Sequence, residues 1–124
     1  MTADLDLDPE QRDELARLLG EDSLGSLLQD WRRFVAAVER GYGDSIYEYT
    51  NDLSVRDRLE RVVAGASPGL RGQLEHALAA ADARFDAATE EAARPLGVTY
   101  TTWWWQRVPR RPIGELAEDL RAQS

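Results

Sequence analysis

The chain has no cysteine, one histidine and one methionine among its 124 residues, and all 15 of its basic residues are arginine. Without cysteine there are no disulfides, no thiolate metal sites and no cysteine nucleophile, a composition that suits a reducing compartment. The lone histidine, His76, falls two residues after Leu74, off the apolar stripe of its segment, and reads as a surface residue. The missing lysine, beside abundant alanine and aspartate, reads as the codon bias of a GC-rich bacterial genome rather than as selection for bidentate arginine contacts. No apolar run approaches the roughly 20 residues that span a bilayer. The first ten residues, MTADLDLDPE, are acidic and lack the apolar centre of a signal peptide. A cytoplasmic protein with no membrane association is expected. Walker A and zinc-ligand patterns are absent as well. Asp82, Asp86 and Glu90 form an acidic row at helical spacing, but the Glu-x-x-His pairs of di-metal bundles are missing. No metal and no cofactor is therefore expected.

What remains is acidic and apolar in ordinary proportion. There are 23 acidic residues, a formal net charge of -8 and 43% hydrophobic residues. A chain of this size buries about two-thirds of its unfolded surface, and one domain over residues 1–124 is the simplest division. The negative charge opposes nonspecific association with nucleic acid or anionic lipid.

The organising stretch is Trp31 to Arg56, WRRFVAAVERGYGDSIYEYTNDLSVR. Leu24, Leu27, Leu28, Trp31, Phe34, Val35 and Val38 recur at gaps of three and four, which places them on one helical stripe. Asp22 or Ser23 supplies an N-cap, and Gly41 a terminator. Ser45 and Glu48 have capping-box spacing for a second helix. The apolar phase slips between Leu53 and Leu59, and Thr50, Asn51 and Asp52 are poor helix formers. A kink near residues 51–54 is expected, with a further helix from about Ser54 to Ala64. Tyr42, Tyr47, Asn51, Asp52, Arg56 and Asp57 gather around the Gly-Tyr-Gly joint, with Asp52 and Arg56 at ion-pair spacing. They form either a polar pocket for a ligand or partner, or a helix junction that satisfies its own backbone groups.

Residues 1–7 alternate aspartate with leucine and read as a frayed arm. Asp8, Pro9 and Gln11 start a short helix that Gly20 ends. Ser67 and Pro68 open the longest helix, whose stripe runs through Leu70, Leu74, Ala77, Leu78, Ala81, Phe85, Ala88 and Ala92 until Pro95 stops it. Trp31, Phe34, Leu74, Leu78 and Phe85 are expected to share one core. Residues 98–108, VTYTTWWWQRV, have extended-chain chemistry. In an extended chain Trp104 faces opposite to Trp103 and Trp105. A stiff basic turn and a short last helix with Ile113, Leu116 and Leu120 follow. The fold class is all-α: an irregular antiparallel bundle of four to five helices with an extended Trp/Arg segment over residues 98–112.

Three functions fit these features. The leading one is a small, acidic, soluble protein-interaction module, of which immunity proteins and antitoxins are examples. Another protein is then the partner, and Tyr42, Tyr47, Asn51, Asp52, Arg56, Trp103, Trp104, Trp105 and Arg107 are the candidate binding residues. The second is an enzyme or small-ligand binder built on the Tyr/Asp/Arg cluster, although no catalytic residue stands out. The third is nucleic-acid binding through the Trp/Arg tail, which the net charge disfavours.

Overall fold

A computed structural model describes residues 5–92, 96 and 102–122. Five helices pack against each other: α1 (Pro9–Leu19), α2 (Leu24–Arg40), α3 (Ile46–Gly65), α4 (Pro68–Ala88) and α5 (Gly114–Ala122). Between α4 and α5 come β1 (Thr89–Glu91), a 3-10 turn (Trp103–Gln106) and β2 (Arg107–Pro109). The expected all-α bundle is what forms. The amphipathic α2 is central and packs on both α3 and α4, while α1 and α5 both lie against α3. Among the described residues, no helix is long and apolar enough to cross a membrane.

The helix starts follow the capping chemistry of the sequence. The Asp8 carboxylate accepts from the Gln11 amide at 2.8 Å, and the Gln11 side chain accepts from the Asp8 amide in return. Ser23 and Ser45 accept from the amides of Ser26 and Glu48. Ser67 departs from the pattern. Its amide and hydroxyl both donate to Glu14 of α1, at 2.6 and 2.7 Å, so α4 is capped by another helix. Gly41 ends α2 at φ 114°, a conformation that L side chains rarely adopt. The last helix docks onto that joint: the Ile113 and Glu115 amides donate to the carbonyls of Tyr42 and Gly43. Gly114 sits there at φ 53°, and a Cβ on it would lie 2.8 Å from the Gly43 oxygen, so any larger residue would push the two segments apart.

Four expectations change. The kink near residues 51–54 does not form, and α3 runs unbroken from Ile46 to Gly65. The Thr50 hydroxyl donates back to the Ile46 and Tyr47 carbonyls and the Ser54 hydroxyl to that of Asn51, so these poor helix formers bond into the helix itself. The phase slip is filled by Arg56, which is buried on the inner face between Leu53 and Leu59. Helix α4 ends at Ala88, well before Pro95, because Thr89 is fully buried with its hydroxyl on the Phe85 carbonyl, and Thr89–Glu91 pairs antiparallel with β2. Trp103–Gln106 coils into a 3-10 turn and is not extended; the strand is confined to Arg107–Pro109, and the 98–101 part of the anticipated segment lies outside the described residues. The exposure alternation consequently fails: Trp104 and Trp105 are both buried and Trp103 is 40% exposed. Finally, Leu5 and Leu7, read as part of a free arm, pack against the core, and the Asp6 backbone exchanges two hydrogen bonds with Gln73.

The core is aromatic at its centre. Trp31, Phe34, Leu74, Leu78 and Phe85 are all buried in one cluster. The Phe34 ring lies 5.4–5.9 Å from those of Trp31, Tyr42, Tyr49 and Phe85. It thereby joins three helices and the joint through tilted and edge contacts. Phe34→Ala should destabilise the fold by about 3–5 kcal/mol, read as a shifted denaturant midpoint at unchanged slope; an unchanged midpoint would place Phe34 outside the cooperative core.

Candidate functional site

Arg56 is buried and fully engaged. It projects from the middle of α3 and is 5% exposed. Its Nε and Nη2 donate to the two carboxylate oxygens of Asp82 on α4, at 3.0 and 2.9 Å. Nη1 donates to Glu60 at 3.1 Å. The guanidinium carbon lies 4.5 Å from the Trp104 ring centroid, and the Trp31 indole also donates to Asp82, at 2.9 Å. A buried cation is costly unless every donor finds a partner. Here a bidentate carboxylate, a second carboxylate and an aromatic face supply them. The expected Asp52–Arg56 pair does not form: Arg56 faces the core and Asp52 the joint.

The tryptophan turn is held by a second carboxylate. The indoles of Trp104 and Trp105 both donate to Asp57 Oδ1 at 2.8 Å, and Trp105 reaches Oδ2 as well. Two consecutive side chains can converge on one acceptor because the backbone coils there. Arg107 is occupied too. Its Nε donates to the Thr89 hydroxyl at 2.8 Å, its Nη2 to the Thr89 and Asp86 carbonyls, and it pairs with the Asp86 carboxylate at 3.4 Å. A cation at the C-terminal end of α4 also meets the favourable end of the helix dipole.

At the joint, Tyr42 is buried and its hydroxyl donates to Asp52 at 2.7 Å. Tyr49 is fully buried and donates to the Arg107 carbonyl at 2.9 Å. Burial raises the pKa of both phenols above its ordinary value; Tyr42 is raised further by its bond to Asp52 and by the charges of Asp52, Asp44 and Glu48. Beside Asp52, a groove of about 460 Å³ opens between α2 and α3, rimmed by Asp30, Arg33, Asn51, Ser54 and Arg58. Arg58 is drawn to Asp22. Tyr47 stands away from all of this, 75% exposed on the first turn of α3.

The candidates thus divide. Tyr42, Asn51 and Asp52 come together at the joint and groove, whereas Arg56, Trp104 and Trp105 form a network deeper in the bundle. Arg107 ties the ribbon to α4, and Tyr47 and Trp103 point outward. Sequence reasoning placed Asp82 only in an acidic row and gave Thr89 no role; the signal for both is a polar residue interrupting an apolar stripe. That row does not assemble, since Asp82 and Asp86 each hold an arginine and Glu90 is exposed on β1. Among the described residues no group of three or more potential metal ligands occurs. Comparison with protein-family models, curated proteins and solved structures finds no match.

Two outcomes follow from these networks. Arg56→Leu alone should cost about 3–5 kcal/mol, since it leaves Asp82 without its cation, whereas Arg56→Leu with Asp82→Leu should recover much of that loss; denaturant titration of the single and double variants measures the difference. The two raised tyrosines bear on alkaline stability. Their stabilising contribution is complete below the unfolded-state pKa of about 10 and is lost as pH climbs towards the folded-state values. Phenolate absorbance should show Tyr42 and Tyr49 ionising only as the chain unfolds, and Tyr42→Phe with Tyr49→Phe should flatten the decline.

Proposed function

We propose that the protein is a binding module for a basic protein partner, engaged at the joint end of the bundle. The observation that carries this reading is the exposure of Tyr47 and Ile113, 75% and 52%, at the joint. Ile113 rests over Gly41 and Gly43, and Tyr47 lies on the helix turn that follows them. Around them stand Asp44, Glu48 and Glu115, all exposed. An aromatic and an aliphatic anchor inside an acidic rim suit a partner that offers an apolar pocket edged with arginine or lysine. The groups that an enzyme would need point the same way. Arg56, Asp57 and Asp82 are engaged with one another or with the tryptophans, and Tyr42 with Asp52, as is expected of structural partners. A nucleic-acid reading loses its reagents similarly, since Arg107 and the indoles of Trp104 and Trp105 have internal partners. An immunity protein or antitoxin, acting in the cytoplasm on a basic target, is the form of module that this surface suits best.

Affinity capture from native extract, compared between the wild type and Tyr47→Ala with Ile113→Ser, tests the reading. A basic protein should be enriched by the wild type, released as salt is raised, and lost from the variant at an unchanged melting temperature. Equal capture by both places the partner surface elsewhere.

A further inference from the structure

A different part of the molecule carries the opposite charge. The turn from Pro109 to Pro112 is pinned to the end of α4, where the Arg110 amide donates to the Ala88 carbonyl at 3.0 Å and its Nε to the Ala87 carbonyl at 3.1 Å. A cavity of about 300 Å³ lies between this turn, α2 and α4. Val38 and Ala88 contribute apolar wall, and Arg84, Arg110, Arg111 and Glu39 supply the polar lining. Arg84 donates through Nε and Nη2 to Glu39, whose carboxyl it holds below the usual range. Arg40 adds positive potential at the same carboxylate. Arg110 spends its Nε on a helix carbonyl and has no bond from its terminal nitrogens among the described residues. Arg111 is exposed, with no ion pair or hydrogen bond among the described residues. Three guanidiniums thus line the recess with one carboxylate in a chain whose net charge is -8. Such a local reversal of sign in a recess concentrates anions against the overall field.

We propose that this cavity binds a small phosphate-bearing molecule. Guanidinium forks match phosphate oxygens in bidentate fashion, and the volume sits at the low end of the roughly 300–1,000 Å³ of small-molecule sites. Arg111 and the terminal nitrogens of Arg110 supply the first donors. Glu39 competes with the ligand for Arg84 and so limits affinity until it is displaced. The charge-assisted contacts give the site a signature that general basicity lacks: one substitution in it weakens binding and another strengthens it.

The test is calorimetric titration of the full chain with pyrophosphate at low ionic strength, with the arginine Nε–H resonances followed by NMR. Resonances of Arg84 and Arg110 should move on addition. Arg111→Gln, which removes an unpartnered surface cation, should weaken binding on the order of tenfold. Glu39→Gln should strengthen it by freeing Arg84. Tyr47→Ala should leave it unchanged, which separates this site from the partner surface. The proposal is overturned if pyrophosphate moves none of these resonances, or if the Arg111 and Glu39 variants bind as the wild type does. It is likewise overturned if a single-stranded oligonucleotide binds here while pyrophosphate does not, since the site would then belong to a nucleic acid.

Discussion

The buried guanidinium of Arg56 sets the constraint to which the rest of the bundle answers. It occupies an inner position of α3 where an aliphatic residue would otherwise continue the stripe between Leu53 and Leu59. Burying a charge there commits the fold to supplying donors' partners from elsewhere. Asp82 comes from α4, Glu60 from the next turn of α3, and the aromatic face from Trp104. Asp82 is in turn shared with Trp31, so this polar contact between α3 and α4 also orients the largest side chain of α2. Hydrophobic burial supplies most of the driving force. The arginine fixes which faces of α3 and α4 meet, because sliding either helix by one residue would separate a bidentate pair.

The same logic explains why a tail with nucleic-acid-like composition becomes a structural element. Two indoles on Asp57, and Arg107 on Thr89 and Asp86, convert an aromatic and basic segment into the wall of the bundle. The cations that stay outside this wall, Arg110 and Arg111, then cluster with Arg84 over a recess. Tail residues that found carboxylates became core, and those beyond them were left to shape the exterior.

Much of this was legible in the residues. The stripe of α2 and its caps, the Asp8–Gln11 box and the shared burial of Trp31, Phe34 and Phe85 follow from spacing and local chemistry alone. The continuity of α3 was hidden, because propensity marks Thr50, Asn51 and Ser54 as weak points, while their side chains bond back to their own helix and tertiary burial of Leu53 and Arg56 overrides the phase slip. The early end of α4 was hidden for a related reason: Thr89 becomes a buried anchor only once β2 is beside it. Of the candidate site, the joint residues could be read and their partners could not. Asp52 and Arg56 are spaced as a helical pair, yet each finds a better-placed partner, Tyr42 or Asp82, on another segment. Sequence spacing reports what a helix offers to itself, and long-range burial decides what is taken up.

Trp104 and its acceptor Asp57 are separated by 47 residues in the chain. A protein made from its N-terminus at about 5–20 residues per second has α2, α3 and α4 in hand for about 1–3 s before the turn that covers Arg56 exists. During that interval the guanidinium and the aromatic face around Phe85 look outward, and Asp57 has nothing to accept from. Completion of the fold is thus a late closure by a distant segment, and the nascent bundle is for a time a sticky object whose own tail is the first suitable occupant to arrive.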